Sequence, residues 1–229
     1  LQETFLQSLG RKLGDREGVG NWVAAEGMGT FIGEGLQHQH GRGSAGVGIF
    51  LGRRATAAWK NAGKKVFGGY GGRVLGVRCL TSAPGVAEKG IFLLSAYAPI
   101  GIAQETVWEH FFDNLEHCIG CKKPGDVLII GIDANSSLGK RNRNLGGPTE
   151  DRTFDPLGPH GPGFCNASGE RFYTFLAQRR LVALSSFFKK RNYATWRHPR
   201  SRLHYQLDHI LVAKADFVRF FDCGVRAPL

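Results

Sequence analysis

In GDVLIIGIDANSS, residues 125–137, five of the six positions from Val127 to Ile132 are apolar, and the run stops at Asp133. This predicts a buried strand ending in a polar segment. Strict alternation would point Asp133 and Asn135 to one face, where the strand meets a cleft. GVGNWVAAEG (18–27), AGVGIFLGRR (45–54), GGRVLGVRCLTS (71–82) and GIFLLSAYAPI (90–100) also read as strands, rich in Val, Ile, Leu, Phe and Tyr. Glycines around HGRGSAG supply turns, and SAPGVAEKG (82–90) reads as a hairpin loop. LQET at the start reads as a strand end. Residues 104–119 change period: Val107, Phe111 and Leu115 recur every four positions, with Trp108 and Phe112 widening the stripe, which predicts a helix.

Residues 138–167, rich in Gly, Pro, Asn and Arg, read as one long loop, and long loops in compact domains are often functional. A second helix is expected over 169–180, with Phe172, Phe175 and Leu176 facing inward. LVALSSFF (181–188), YATWRH (193–198) and LHYQLDHILV (203–212) read as three further strands, and DFVRFFDCGV (216–225) as the start of a fourth. So many strands with so few helices between them exclude a strict βαβ order. The expectation is one α/β (α+β) domain over 1–229, two packed mixed sheets flanked by helices, with no repeats and no linker.

The 30 Lys and Arg outnumber the 19 Asp and Glu, for a net charge of +11. The excess is spread through GRRATAAWKNAGKK, GKRNR, QRR, FFKKRN and RHPRSR. That favours a basic face on a folded domain that meets a polyanion, nucleic acid before membrane. No run approaches 18 apolar residues, so no membrane span is expected, and no signal peptide is legible at the Leu1 start. The missing Met suggests a piece of a longer product. Five scattered Cys make a poor disulfide framework and suit a reducing compartment. Cys118 and Cys121 have the spacing of a zinc half-site or redox pair, but no second CxxC exists, and the pair is read as structural. His38 and His40 in HQH lack a third ligand, and NSS at 135–137 and NAS at 166–168 are chance matches to a glycosylation pattern.

A carboxylate at a strand end can ligate a divalent cation or take a proton from water. A carboxamide beside it can orient that water or donate to an oxyanion. Three further strands carry such residues: Glu3 in LQET, Tyr97 before Pro99 in SAYAP, and Asp208 with His209 in YQLDHILV.

In that order these segments resemble the endonuclease/exonuclease/phosphatase superfamily, and within it the apurinic/apyrimidinic-type endonuclease domain of non-long-terminal-repeat retrotransposons. LQET resembles its Gln-Glu-Thr metal motif and GIDANSSLG its Gly-Asp-x-Asn segment. FCNASGERFYTFLAQRRLVALSSFF followed by YATWRHPRSRLHYQLDHILV resembles its run through N-x-x-G, a helix, TFF, YTW and I-D-Y-I-L-V. The resemblance implies a DNase I-like four-layer sandwich, incomplete at both termini, that cuts phosphodiesters with Mg²⁺ or Mn²⁺. It implies that Glu3 holds the metal, Asp133 activates or positions water with Asn135 beside it, and Tyr97 contacts the scissile phosphate. Asp208 would orient a catalytic His, and Thr195, Trp196 and Arg197 would line the DNA side. Arg141, Arg143, Lys189, Lys190, Arg191, Arg200 and Arg202 are candidates to grip phosphates. DNA as partner and an intracellular, nuclear site of action follow from the family alone.

Two family elements are missing: the opening strand with its Asn, and the Ser-Asp-His that supplies the base. His209 occupies the aromatic position of I-D-Y and is read as structural, or else as a substitute for that base. Competing expectations are an inactive nucleic-acid-binding remnant and a superfamily phosphatase or RNase. Oligomeric state and target site are not legible.

Overall fold

The computed structural model describes residues 19–24, 29–36, 44–68, 72–81, 89–140 and 154–226. They belong to two compact units, one within 1–97 and 105–129, the other within 98–104 and 130–229.

In the first unit, β1 (Val19–Ala24), β2 (Gly29–Leu36) and β3 (Ser44–Gly52) form an antiparallel meander. The β2 strand went unrecognised in the sequence because its glycines mask the period. Helix α1 (Arg53–Asn61) follows β3 directly, so the arginines expected to end a strand begin a helix instead. Strands β4 (Val66–Gly68), β5 (Val74–Leu80) and β6 (Gly90–Tyr97) pair antiparallel in sequence order. The two sheets pack through Ile32, Val47 and Leu51 on one side and Leu75, Val77 and Cys79 on the other, with Trp59 of α1 closing the same core. Burying each large side chain contributes about 1.5–3 kcal/mol.

Helix α2 (Glu105–Gly120) buries Trp108, Phe111, Leu115 and Cys118, spaced three, four and three apart. The buried stripe is therefore turned one position from the expected one, and Val107 lies on the exposed flank. Trp108 sets its ring edge-on to Phe111 at 6.3 Å. Cys118 and Cys121 are free thiols in the turn that ends this helix. Beside it, Asp126 and Arg78 of β5 form a buried bidentate pair, Nε to Oδ2 at 2.7 Å and Nη2 to Oδ1 at 2.9 Å. Gly90 makes room for it: a Cβ there would stand 2.9 Å from Asp126 Oδ1.

The predicted apolar run forms β7 (Val127–Asp133), which leaves the first unit at Ile129 and enters the second at Ile130. The second unit adds α3 (Ala167–Gln178), β8 (Leu181–Ala183), the short pair β9 (Trp196–Arg197) and β10 (His204–Tyr205), and β11 (Asp208–Ala213). Six strands make one mixed sheet in the order β4-β5-β6-β7-β11-β8, and β9 with β10 makes a separate ribbon. The expected α/β class, with packed sheets and flanking helices, is what the chain adopts.

Two expected strands are shortened and a third is absent, for local reasons. LVALSSFF leaves the sheet after Ala183 because the Ser186 hydroxyl turns back to donate to Ala183 O (2.6 Å) and accepts from Gly158 N (2.8 Å), giving a 3₁₀ turn over Leu184–Phe187. LHYQLDHILV is broken at Gln206–Leu207, where the Thr195 hydroxyl takes the Leu207 and Asp208 N–H groups (3.0 and 3.1 Å). DFVRFFDCGV is no strand: Lys214–Arg219 is a 3₁₀ turn, with the Phe187 ring tilted against Phe217 at 4.8 Å. The long loop holds no regular element over its described residues, only a bridge between Leu138 and Cys165.

Candidate active site

Strand β7 ends at Asp133, and the chain does not continue extended. Asn135 takes φ +44°, the left-handed region that Asn tolerates better than most side chains. Its backbone N–H donates to Asp133 Oδ1 at 2.9 Å, and its side-chain Nδ2 donates to Ala98 O at 2.8 Å. A turn, not strand alternation, therefore sets Asn135: its backbone N–H meets the Asp133 carboxylate and its carboxamide reaches Ala98. Ala98 also donates its N–H to Asp133 O at 2.9 Å, so both ends of the turn are tied to one residue.

The same turn is joined to the strand carrying Asp208. Ala134 N–H donates to Leu207 O at 2.7 Å. Leu207 and Asp208 in turn donate to Thr195 Oγ1. Asp133, Asn135, Asp208 and Thr195 thus lie along one hydrogen-bonded path in the second unit. Thr195 is half-buried and holds register. Trp196 (42% exposed) and Arg197 stand on the exposed ribbon beyond it, Trp196 against Tyr205 at 5.8 Å. The ribbon's tip is fastened by His198 Nδ1, which accepts from Arg200 N and Ser201 N (3.2 and 3.0 Å) and leaves Arg200 and Arg202 exposed. Lys190 pairs with Asp222, whereas Lys189 and Arg191 are exposed.

A third tie comes from the N-x-x-G segment. Asn166 caps α3, its Oδ1 accepting from Gly169 N at 2.8 Å. The same oxygen accepts from Ser137 N at 3.3 Å, and Asn166 N donates to Ser137 O at 3.2 Å. A Cβ at Gly169 would stand 2.1 Å from Ser137 O. The motif therefore clamps the segment after Asn135 against the start of a helix, a role that sequence reading missed though it noticed the motif. Asn166→Ala is expected to lower stability by about 1–2 kcal/mol and to speed amide exchange at Ser137, while Asn166→Asp keeps both near wild type. Chemical melts with hydrogen exchange check this.

His209 is 6% exposed, and neither ring nitrogen completes a hydrogen bond. The Ser136 hydroxyl, 0% exposed, is likewise unpaired. Burial pushes His209 down to about 4, while the nearby backbone of Ser136 and Gln206 pulls weakly upward. It stands neutral under the turn, closed to solvent, which fits a structural residue better than a base. Because the unfolded chain titrates near 6.5, it binds more protons than the folded one between 6.5 and 4. Stability should therefore fall as pH drops through that window, by about 1.4 kcal/mol per unit and about 3 kcal/mol in all, with no such loss above 6.5. His209→Phe should remove the slope. Equal acid losses in both proteins by urea melts at pH 7 and 5 would refute the assignment.

Tyr97 ends β6 in the first unit and was expected. Arg73 was not: its guanidinium lies 5.3 Å from the Tyr97 ring and Nη1 donates to Tyr97 O at 3.2 Å. Burial lowers the guanidinium below its ordinary range, with Tyr97 opposing. The signal available was GGRVLG preceding a strand that pairs with SAYAP. Cys165, next to Asn166, is no activated nucleophile, since burial and then Glu170 raise its thiol. Glu3, Arg141, Arg143 and the HQH pair lie outside the described residues. Among the described residues, no three His, Cys, Asp or Glu gather as a ready metal cluster. No helix among them is long and apolar enough to cross a membrane.

Over 121 residues, 52% of this chain, the sequence is 30% identical to craniofacial development protein 2 of Bos taurus. The chain is similar to that protein. It is 29% identical over the same length to craniofacial development protein 2 of Tragulus javanicus. The relationship is distant, and the match spans 19% of the length of each of these curated relatives. No family model matches the chain.

Proposed function

We propose that this chain belongs with the endonuclease/exonuclease/phosphatase enzymes and hydrolyses phosphodiesters in DNA, nicking one strand with Mg²⁺ or Mn²⁺, as a nuclear protein of retrotransposon origin. The observation that carries the reading is the Asp133–Asn135 turn, pinned to Ala98, to Leu207 beside Asp208, and to Asn166. Three independent ties on one short turn are the preorganisation that a reacting centre requires. The distant similarity to craniofacial development protein 2 agrees with it.

The donors suit a hard cation. Asp133 offers carboxylate oxygen, and Asn135, with Nδ2 committed to Ala98, offers its carboxamide oxygen. Mg²⁺ keeps several waters and takes only one or two carboxylates, so a sparse oxygen set is compatible with it. Asp133 would hold the cation, with Glu3 as the second carboxylate by motif. Bound there, the cation supplies charge neutralisation at the phosphate and a more acidic water. Asp133 would also orient the attacking water, and Asn135 its hydrogen bonds. Tyr97, with Arg73 over its ring, would meet the phosphate, and the ribbon with Trp196, Arg197, Arg200 and Arg202 would grip the backbone.

The second reading is a chain that binds nucleic acid without turnover. It is favoured by the burial of His209, whose imidazole next to Asp208 is closed to solvent. Incubation with Mg²⁺ and, in turn, duplex DNA, RNA and p-nitrophenyl phosphate separates the readings. DNA cleavage without monoester hydrolysis is expected. Monoester hydrolysis alone would assign the phosphatase branch, RNA cleavage alone an RNase, and DNA binding without any cleavage the inactive remnant.

A further inference from the structure

Helix α1 and the turn after it carry Arg53, Arg54, Lys60, Lys64 and Lys65, all exposed. None has an ion-pair partner among the described residues. No acidic residue lies in the helix's first turn, and Gly52 contributes no side-chain cap. Two arginines therefore sit at the end of the helix dipole that favours anions, so these charges work against the helix. What holds α1 is elsewhere. Trp59 is 5% exposed and donates Nε1–H to Lys65 O at 3.0 Å, Lys64 N–H bonds Trp59 O at 3.0 Å, and Thr56 Oγ1 donates to Leu51 O at 2.9 Å. The turn that presents Lys64 and Lys65 is thus fixed to a buried anchor, with Lys64 itself at φ +56°. A fixed row of exposed cations with no ion-pair partner among the described residues is the electrostatic footprint of a phosphate backbone. Arg53 and Lys60 lie about 10 Å apart along the axis, roughly three phosphates of one strand.

The patch and Tyr97 flank one core: Trp59 of α1 belongs to it and Tyr97 packs against it. Cys79 Sγ contacts Ala55 O, and Val66, next to Lys65, pairs with Val77. Cys79 lies toward the far end of β5 and Val77 at its middle, whereas Tyr97 bonds Arg73 just before its start. Six residue steps from Arg73 to Cys79 span about 20 Å.

We propose that the α1 face is a second DNA-backbone contact, distinct from the Tyr97 end of the unit. This rests on the nucleic-acid reading above but not on hydrolysis.

The test is binding in EDTA, where nothing is cut, of duplexes of roughly 12 and 60 base pairs at roughly 50–200 mM NaCl. Wild type is compared with a variant carrying Arg53→Gln, Arg54→Gln, Lys60→Gln, Lys64→Gln and Lys65→Gln, its fold checked by Trp fluorescence. For the long duplex the slope of log affinity against log salt should fall by about 4, and for the short duplex, roughly 40 Å long and so able to reach both places, it should fall as well. If that variant misfolds, Arg53→Gln with Arg54→Gln should lower the slope by about 2. Equal slopes in wild type and variant on the long duplex would overturn the proposal. So would loss of binding confined to phosphatidylserine vesicles, which would make the face a membrane contact. A wild type that binds neither duplex would overturn this proposal and the nucleic-acid reading together, whereas binding with no cleavage in Mg²⁺ would sink only the enzymatic one.

Discussion

Asp133→Asn is expected to lower metal-dependent DNA cleavage by about 10²–10⁴-fold while fold and DNA affinity stay in place. The asymmetry follows from what the carboxylate does. One structural duty is to accept the Asn135 N–H through Oδ1, and a carboxamide oxygen accepts the same bond. The turn's other ties, Asn135 Nδ2 to Ala98 O and Ala134 N to Leu207 O, do not involve the side chain. What is lost is the negative charge that would hold a cation and favour a proton leaving water. Single-turnover nicking beside a thermal melt and an anisotropy titration separates the two. A variant within threefold of wild type would remove Asp133 from the chemistry.

Asp126→Ala is expected to cost about 3–5 kcal/mol. The substitution leaves the Arg78 guanidinium, 5% exposed, without the carboxylate that takes both its Nε and Nη2 donors. The loss comes from taking the carboxylate away from a buried charge, not from the net worth of the pair. Replacing both partners with apolar residues, Arg78→Met with Asp126→Leu, should therefore recover most of it. Urea melts of the single and double variants decide this. A double variant as unstable as the single one would show that the pair is needed for shape and not for charge.

The strands that read clearly from sequence are those whose apolar content depends on no partner: β5, β6 and β7, and helix α2 with its 3.6-residue stripe. What was illegible depended on side-chain to backbone bonds across distant positions. Nothing in LVALSSFF says that Ser186 will bond Gly158, nor in LHYQLDHILV that Thr195 will take two of its N–H groups. Propensity favours strand in both, and a hydroxyl overrides it. Motif order is what named Asp133, Asn135, Tyr97 and Asp208 as candidates. The way Asp133 and Asn135 meet was not legible, since a positive φ at a non-glycine residue leaves no mark in a strand pattern. Arg73 and Asn166 were missed because their roles are relations to Tyr97 and Ser137, 24 and 29 positions away.

The central claim is that the pinned Asp133–Asn135 turn serves divalent-cation hydrolysis of DNA. Its most direct test is conversion of supercoiled plasmid to the nicked circle by this chain, in Mg²⁺ and in EDTA. Nicking in Mg²⁺ that stops in EDTA is the result predicted. A folded chain that binds the plasmid and leaves it supercoiled in both Mg²⁺ and Mn²⁺ would contradict the claim and make the turn a structural feature of a DNA-binding protein.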